Sequence, residues 1–323
     1  MSKPAKRASA DAPILVTMGE PAGIGPEIAV AAYRALHGRI GAHPLKLVGD
    51  ASVFESCGLG DANAVIATGG KARRNPGKPS AENVAAVVEA IETATAACAD
   101  GRAAALVTAP INKAVLMHAG FKYPGHTEFL EAITHAPRAV MMLASEQLRV
   151  VPLTIHRPLA SVPGSISQSA IVETGEIVLA SLKSFFGIAK PRLVVSGLNP
   201  HAGEDGEIGE EENSIVAPGV AMLKARGHDV RGPLPADTLF HAEARATYDA
   251  ALCMYHDQAL IPIKTLSFWD GVNVTLGLPV IRTSPDHGTA FDIAGTGKAD
   301  ARSMIAAIRM AAQMADRRQT AGS

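Results

Sequence analysis

The sequence predicts an α/β fold built around a mostly parallel sheet. Short runs of β-branched and aliphatic residues alternate with longer Ala-rich amphipathic stretches along the chain. This alternation is typical of βαβ units, in which a helix connects two parallel strands. The 323 residues correspond to two domains at about 150 residues each, and they can bury a sizeable core without disulfide or metal staples. We therefore expect two α/β domains.

The elements follow from these runs in chain order. The predicted strands are Ile14–Thr17, Leu45–Val48, Val65–Ala67, Ala104–Val107, Val150–Ile155, Leu193–Ser196, Ala251–Met254 and Val272–Leu276. The predicted helices are Pro26–Leu36, Ala81–Cys98, Lys113–His118, Glu128–Ile133, Gln168–Phe185, Ser214–Ala225, Ala242–Ala246 and Ala301–Ala315. In the second helix, Val84, Val87 and Ile91 recur at helical spacing, which indicates one buried face.

Charge and composition exclude several classes of partner. The 30 Lys and Arg residues nearly balance the 31 Asp and Glu residues, for a formal net charge of -1. This balance predicts neither a nucleic-acid partner nor a membrane partner. Aromatic residues make up only 4% of the chain, too few for the stacking platforms that bind single-stranded nucleic acid. We expect a small ligand held by polar groups.

Cysteine usage and the amino terminus predict a cytoplasmic protein. Cys57, Cys98 and Cys253 are odd in number and far apart, which fits a reducing compartment better than a disulfide framework. Residues 1–12 are basic and lack the apolar core of a signal peptide, so we expect a frayed tail there. No uncharged apolar run is long enough to span a bilayer.

A glycine-rich segment, M-G-E-P-A-G-I-G-P-E at residues 18–27, lies between the first predicted strand and helix. Such a turn can aim backbone N–H groups at an anion. The spacing differs from the dinucleotide fingerprint, because Ile28 stands where a third glycine would be needed. The residues alone favour a strand-to-helix turn with Pro26 in the first helical turn.

Three histidines follow separate predicted strands: His156, His201 and His256. Ligand sites of open α/β sheets lie beyond the carboxyl ends of the strands, and three imidazoles leave an open position on a catalytic divalent metal. The alternative is that each histidine caps its strand and makes local hydrogen bonds. The two interpretations carry similar weight. Cys253, three residues before His256, is expected in the core.

The segment P-G-H-T-E places His126 and Thr127 at the start of a predicted helix. There an imidazole, a hydroxyl and helix N–H groups can face a ligand. The alternative, favoured by the residues alone, is that one of the two side chains is only an N-cap.

Lys264, Asn273 and Arg282 form a further candidate group. Lys264 and Arg282 fall at or beside apolar strand ends, where an unpaired cation is costly and needs an anionic partner. A phosphate would provide one, with Arg282 as a planar fork and Lys264 as a point charge. A protein carboxylate such as Asp257 or Asp286 would serve equally well. The sequence does not decide between them.

A second glycine-rich segment, D-H-G-T-A-F-D-I-A-G-T-G-K-A-D at residues 286–300, precedes the last predicted helix. Its glycines permit close backbone approach to a ligand, and Asp292 is suited to accept hydrogen bonds from ribose hydroxyls. That carboxylate would repel a 2′-phosphate and thereby favour NAD over NADP. A purely structural loop is the alternative.

Seven motifs in register resemble the PdxA family of 4-hydroxythreonine-4-phosphate dehydrogenases, over residues 14–310. They are G-E-P-A-G-I-G-P-E, T-A-P-I-N-K, P-G-H-T-E-F, G-L-N-P-H-A-G-E, Y-H-D-Q, G-V-N-V-T-L-G-L-P and I-R-T-S-P-D-H-G-T-A. The segment H-G-T-A-F-D-I-A-G is also similar to the adenosine-binding loop of isocitrate and isopropylmalate dehydrogenases. Glu20 replaces a common Asp, and R-P-L-A-S-V-P-G follows His156 where P-L-R-D-V is usual.

The resemblance implies two α/β/α domains with a cleft between them, like isocitrate and isopropylmalate dehydrogenases and unlike a Rossmann domain. Residues 1–122 and 286–323 would form the first domain. Residues 123–285 would form the second, with the metal site and the dimer contacts. The expected assembly is a homodimer whose active sites are shared between subunits.

The resemblance also implies roles for the candidate residues. The metal ligands would be His156, His201 and His256, holding one zinc, magnesium or cobalt ion per subunit. The substrate contacts would be His126, Thr127, Lys264, Asn273 and Arg282, with His126 or a water on the metal relaying the proton. The loop residues His287, Gly288, Thr289, Ala290 and Asp292 would bind NAD, with NADP possible.

The implied reaction is NAD-dependent oxidation of 4-phosphooxy-L-threonine. The resulting 2-amino-3-oxo-4-phosphooxybutanoate would decarboxylate to 3-amino-2-oxopropyl phosphate, a step of vitamin B6 biosynthesis. A D-erythronate or D-threonate 4-phosphate dehydrogenase is the near alternative. A non-catalytic metabolite-binding protein is the more distant one.

Overall fold

The computed structural model describes residues 6–320, which form two compact units. Unit 1 contains the described residues up to Ala139 and from Val272 onward, and unit 2 is Val140–Gly271. Residues 123–139 and 272–285, which we predicted in the second domain, thus lie in unit 1. The reason is packing, because the helix His126–Thr134 packs on the helix Val84–Ala99, and the strand Arg282–Pro285 pairs with the strand Ala105–Thr108. Residues 1–5 of the expected frayed tail lie outside the described part.

Unit 1 is a mixed sheet with helices. Its strands are β1 (Ile14–Thr17), β2 (Arg39–Ile40), β3 (His43–Gly49), β4 (Val65–Ala67), β5 (Ala105–Thr108), β11 (Val272–Leu276) and β12 (Arg282–Pro285). Its helices are α1 (Gly25–Ala35), α2 (Ala51–Ser56), α3 (Val84–Ala99), α4 (Lys113–His118), α5 (His126–Thr134) and α10 (Arg302–Thr320). The strand order is β2-β3-β1-β5-β12-β11, with β4 also on β3. Only β2 and β11 run antiparallel to their neighbours among these pairs.

Helices cover both faces of the unit 1 sheet. The chain moves from β1 through α1 to β3, and then returns from β4 through α3 to β5 on the other side of β1. Because such crossovers are right-handed, the reversal of direction places α1 and α3 on opposite faces. Helix α10 contacts α1 and β12 and therefore lies on the face of α1. The predicted α/β/α layering is thus present in this unit.

Unit 2 also consists of strands and helices. Its strands are β6 (Val140–Ala144), β7 (Arg149–Pro152), β8 (Arg192–Ser196), β9 (Asp229–Leu234) and β10 (Ala250–Cys253), in the order β6-β7-β10-β8-β9. Its helices are α6 (Gln168–Ser184), α7 (Ala217–Ala225), α8 (Ala242–Arg245) and α9 (His256–Leu266). All neighbouring strands are parallel except β6 and β7. Leu143, Val150, Val194 and Ile263 lie in its core.

The structure confirms the predicted α/β class with a mostly parallel sheet. Strands β2, β6, β9 and β12 and helices α2 and α9 were not predicted. Strand β12 is polar in sequence although its residues are buried, and α9 contains Pro262 within a helix, which argues against a helix when only sequence is seen. Consequently the prediction that Lys264 lies at a strand end is wrong, because it lies in the last turn of α9.

Two further sequence predictions concern burial and apolar length. Cys253 is fully buried at the end of β10, as expected for a core residue. Within residues 6–320, every helix is too short or too polar to cross a bilayer.

Candidate functional site

Arg282 is a buried cation whose hydrogen-bond partners are hydroxyls. It begins β12, only 3% exposed, and is opposite Thr275 on β11. Its Nε and Nη2 donate to Thr108 Oγ1 at 3.1 and 2.6 Å, and its Nη1 donates to Thr275 Oγ1 at 2.8 Å. Burial lowers the pKa of Arg282 to about 10, so the side chain remains charged at neutral pH.

These contacts leave the charge of Arg282 without an anion. A guanidinium has five N–H donors, and in the described part of unit 1 three of them are used by the two threonines. A buried charge without a counter-ion is strongly unfavourable. The structure therefore does not show Arg282 paired with a protein carboxylate, which was the alternative to a phosphate. The two remaining N–H donors of the guanidinium suit an anionic ligand.

His126 and Thr127 begin α5, as predicted, but neither caps it. The N-cap residue is Gly125, and no side chain makes the cap hydrogen bond, so the N-cap alternative is wrong. A side chain at residue 125 would press on Lys113, since a Cβ there would lie 3.2 Å from Lys113 Cε. Gly125 thus lets the lysine chain pass close to the start of α5.

The imidazole of His126 has an unused nitrogen. Its Nε2 is buried and lacks a hydrogen-bond partner among the described residues. Burial lowers the pKa of His126 well below 6.5, and the charges of Arg282 and Lys113 lower this pKa further. The ring is therefore neutral at neutral pH and available to exchange a proton with a ligand.

Asn273 provides another unused polar atom. It is opposite Ser284 on β12, two residues before Thr275, so its side chain is on the sheet face that carries Arg282. Its Oδ1 is buried and has no partner in the part of the chain that the structure describes. Buried polar atoms are normally paired. Together with His126 Nε2 and the spare donors of Arg282, this atom indicates a polar ligand in unit 1.

The low pKa of His126 predicts a pH-dependent loss of stability. The unfolded chain binds a proton at this ring near pH 6.5, whereas the folded chain binds it only at lower pH. The stability is therefore fully present above that pH and falls as the pH decreases below it. We expect His126→Asn to decrease the difference between the urea midpoints measured at about pH 8 and about pH 5.

His118 provides the control for that measurement. It is exposed, and its Nδ1 contacts the Ala114 carbonyl oxygen. His118→Asn should leave the pH dependence of the urea midpoint unchanged. If His126→Asn and His118→Asn behave alike, burial of His126 does not cause the effect.

The candidate metal ligands follow neighbouring parallel strands in unit 2. His156 lies beyond the end of β7, His201 beyond the end of β8, and His256 is the first residue of α9, three positions after the last residue of β10. The rings of His156 and His256 are close, with centroids 5.8 Å apart. They line a recess of about 320 Å³ together with Arg157, Leu159, Tyr255 and Asp257 among others.

Asp257 fixes the orientation of His256. Its Oδ1 lies 2.7 Å from His256 Nδ1, so this nitrogen donates a proton to the carboxylate and the Nε2 lone pair is left for a metal. Two imidazoles on one ion have ring centroids about 5 Å apart, given metal–nitrogen distances near 2.1 Å. The separation of His156 and His256 therefore fits two ligands of a shared divalent metal.

His201 is held in an unusual turn, residues 200–206. Four non-glycine residues have left-handed backbone conformations: His201 (φ 52°), Ala202 (φ 54°), Glu204 (φ 42°) and Asp205 (φ 55°). Such conformations are strained and occur often at functional sites. The turn holds His201 at the surface.

Glu212 anchors the segment that leads into this turn. It is 2% exposed; its Oε1 accepts the N–H groups of Leu198 and Asn199 at 2.6 and 2.8 Å, and its Oε2 accepts from Asn199 Nδ2 at 2.9 Å. The sequence did not predict a role for Glu212, because one carboxylate within an acidic stretch gives no sign that it is buried.

The third histidine does not join the other two within one chain. Across residues 6–320, no three His, Cys, Asp or Glu side chains are arranged to hold a metal ion. Within the chain, the rings of His156 and His256 lie close to each other, and the expected site would take a further histidine from the partner subunit. The three-histidine metal site stays a prediction about the assembled protein.

The first glycine-rich segment forms the strand-to-helix turn that the residues favour. The N–H groups of Ala22, Gly23 and Ile24 donate to Glu20 Oε1, the Glu20 carbonyl oxygen and the Thr289 carbonyl oxygen, at 3.0, 3.0 and 2.9 Å. These donors are thus used within the protein. Burial raises the pKa of Glu20, which lies inside this turn.

The second glycine-rich segment has an open surface suited to a ligand. His287, Gly288 and Asp292 are exposed, whereas Thr289 and Ala290 are half-buried. Apart from its two chain neighbours, no described residue has an atom within 4 Å of the place where a Cβ of Gly288 would be, so a ligand can approach the backbone there. This openness fits the predicted dinucleotide loop.

The sequence did not predict roles for Lys113, Thr108 and Thr275. Lys113 and Thr108 lie within the T-A-P-I-N-K motif, and Thr275 within G-V-N-V-T-L-G-L-P. These motifs were the available signal, but the hydrogen bonds between Thr108 and Arg282 join residues 174 positions apart.

Comparison with known proteins identifies the family. The family model for "Pyridoxal phosphate biosynthetic protein PdxA" matches residues 29–311. The chain belongs to the PdxA family. Among PdxA relatives, it is 52% identical to the 4-hydroxythreonine-4-phosphate dehydrogenase of Methylorubrum populi, covering 96% of each chain. It is 54% identical to that of Roseobacter denitrificans, covering 95% of this chain and 98% of the relative. The predicted family is confirmed.

Solved structures of PdxA proteins share the fold. The 4-hydroxythreonine-4-phosphate dehydrogenase of Klebsiella pneumoniae is 39% identical with a TM-score of 0.84, covering 94% of this chain and 99% of that one. A terephthalate 1,2-cis-dihydrodiol dehydrogenase from Burkholderia xenovorans is 28% identical with a TM-score of 0.66, covering 94% and 98%. This PdxA chain thus resembles the dehydrogenase of a phosphorylated substrate more than that of the dihydrodiol.

Proposed function

We propose that this chain is a 4-hydroxythreonine-4-phosphate dehydrogenase. It would oxidise the C3 hydroxyl of 4-phosphooxy-L-threonine by transferring a hydride to NAD⁺. The product, 2-amino-3-oxo-4-phosphooxybutanoate, would lose CO₂ to give 3-amino-2-oxopropyl phosphate on the route to pyridoxine 5′-phosphate. The observation that carries the proposal is the buried Arg282, whose charge has no anionic partner among its hydrogen-bonded contacts.

The polar residues of unit 1 suit a phosphorylated amino acid. Arg282 would donate its two spare N–H groups to the phosphate as a planar fork. Asn273, with its buried amide oxygen unpaired, and Thr127 would bind the other polar groups of the substrate. Lys264, in α9, would add a point charge for an anionic group. These contacts position the substrate for reaction.

His126 is our candidate for the proton acceptor. The ring is neutral at neutral pH because burial lowers its pKa, so it can take the proton of the C3 hydroxyl as the hydride leaves. Its unpaired Nε2 is the nitrogen for this transfer. General bases must lie within hydrogen-bond reach of the proton that they remove.

His156, His201 and His256 would hold one divalent metal, with histidines drawn from both subunits of a homodimer. The pair His156 and His256 and the Asp257 contact fit imidazole ligation. Imidazole suits zinc or cobalt, whereas additional oxygen ligands would suit magnesium. When bound, the metal would act as a Lewis acid on the substrate oxygen.

The loop with His287, Gly288, Thr289, Ala290 and Asp292 would bind the dinucleotide. The Asp292 carboxylate would accept hydrogen bonds from the ribose and repel a 2′-phosphate. We therefore expect a preference for NAD⁺ over NADP⁺.

Purified protein and two substrates test the proposal. We expect NADH formation with 4-phosphooxy-L-threonine, and a higher kcat/KM for it than for D-erythronate 4-phosphate. The opposite preference would show a sugar-acid phosphate dehydrogenase. Absence of NADH with either substrate would favour a non-catalytic metabolite-binding protein. Equal efficiency with NADP⁺ would contradict the role of Asp292.

A further inference from the structure

A shielded ion pair connects the two glycine-rich segments of unit 1. Glu27, in the first turn of α1, and Arg74, in the polar segment before α3, approach to 2.6 Å between Oε1 and Nη2. Their side chains are only 16% and 8% exposed. The pair is therefore largely withdrawn from water, where an ion pair is weakly screened and removal of one partner has a large effect.

Glu27 also holds the candidate dinucleotide loop directly. The oxygen that contacts Arg74 accepts the N–H of Gly295 at 2.7 Å. Gly295 has φ +77°, and a Cβ there would lie 2.8 Å from Pro76 Cβ. This half of the loop is thus fixed to α1 and to the segment that carries Arg74.

Arg74 holds the other half of the loop through the strand-to-helix turn. Its Nη1 donates to the carbonyl oxygens of Pro21 and Gly23 at 2.8 and 3.3 Å. The next residue of that turn, Ile24, donates its N–H to the Thr289 carbonyl oxygen at 2.9 Å. Gly23 permits this close approach, because a Cβ on residue 23 would lie only 2.8 Å from the carbonyl oxygen of Thr289.

We infer that Glu27 and Arg74 are positioning residues for dinucleotide binding, a role that rests on the proposed function. They fix both halves of the 286–297 loop before the cofactor arrives. A loop ordered in advance loses less conformational entropy on binding, so the affinity is higher. Both residues act through the loop backbone, because the charge of Arg74 is already paired with Glu27.

Three variants and one control test this inference with NADH as the probe. Glu27→Ala removes the acceptor for Gly295 and the partner of Arg74, and we expect the Kd for NADH, measured by fluorescence without substrate, to increase by about tenfold or more. Glu27→Gln keeps an amide oxygen for Gly295 and should have a smaller effect. Arg74→Met should weaken NADH binding although the hydrogen bond from the Gly295 N–H to Glu27 can still form. Asp100→Asn removes an exposed pair with Arg102 in the same unit and should have no effect.

Two further measurements separate positioning from general stability. We expect the KM for NAD⁺ to rise in Glu27→Ala while the KM for the phosphorylated substrate stays within about twofold of the wild-type value. Hydrogen exchange should become faster in residues 286–297, with the melting temperature of Glu27→Gln near that of the wild type. A rise in both KM values together would indicate a purely structural role and overturn the inference.

The outcomes also distinguish this inference from the proposed function. If the wild-type protein does not bind NADH, the dinucleotide function fails. If the wild type binds NADH and Glu27→Ala binds it equally well, only the positioning inference fails.

Discussion

Replacing Arg282 by methionine is expected to decrease kcat/KM for the phosphorylated substrate by about 10³-fold. The guanidinium is buried, and among the described residues its hydrogen bonds go to threonine hydroxyls, so a bound phosphate would be its counter-ion. Removing one member of a buried charge pair costs about 3–5 kcal/mol, which corresponds to roughly that loss of rate. Steady-state kinetics with 4-phosphooxy-L-threonine and NAD⁺ measure the effect.

Stability measurements identify the cause of that loss. Methionine removes a buried charge that the substrate-free protein does not neutralise, so Arg282→Met should not lower the melting temperature. Arg282→Lys keeps the positive charge but loses the planar guanidinium with its paired N–H donors. We therefore expect its activity to lie between those of the wild type and Arg282→Met. NADH affinity should stay unchanged in both variants. A parallel loss of activity and melting temperature would instead assign Arg282 a structural role.

Replacing His201 by alanine is expected to abolish turnover and to weaken metal binding. His201 follows β8 and lies in a turn, and Glu212 holds the backbone just before that turn. Such an arrangement fits a side chain that is held ready to bind a metal. Calorimetric titration of metal-stripped protein with Zn²⁺ or Co²⁺ measures the affinity. Normal turnover of His201→Ala in metal-free buffer would contradict the metal role.

Two matched variants accompany this experiment. Asp257→Asn retains the ring of His256 but weakens the contact that sets its tautomer, and we expect a loss of about 10–100-fold in metal affinity. His241→Ala removes an exposed histidine of the same unit that contacts Glu243, and it should leave metal binding unchanged.

Mixed dimers test whether the metal site is shared between subunits. His201→Ala and His256→Ala would each be inactive alone. If these two histidines reach one metal from different subunits, a mixed dimer regains one intact site, and random mixing restores about a quarter of the wild-type activity. Activity that stays absent in verified mixed dimers would place both ligands in the same chain.

The strands that carry the candidate histidines could be predicted because they are apolar. Runs such as Val150–Pro152 and Leu193–Ser196 are buried in a parallel sheet and read as continuous hydrophobic segments. The carboxyl ends of these strands then place His156, His201 and His256 at one edge of the unit 2 sheet. Nothing in the sequence alone, however, shows that only His156 and His256 meet within a chain.

The environment of Arg282 could be predicted only in part. The need of a buried cation for an anionic partner follows from residue type. Its threonine partners do not, because Thr108 is distant in sequence and β12 is too polar to read as a buried strand. Sequence periodicity is a local signal, whereas pairing between β5 and β12 depends on the whole topology.

The placement of β12 also affects how the protein is made. This strand covers one edge of β5, yet Thr108 and Arg282 are 174 residues apart in the chain. At about 5–20 residues per second, the ribosome needs about 9–35 s to synthesise that interval. During this time, one edge of the apolar strand β5, A-L-V-T, is exposed in the nascent chain. The backbone of such an open edge can pair with other chains. Correct assembly of unit 1 therefore depends on protecting β5 until the last strand has been translated.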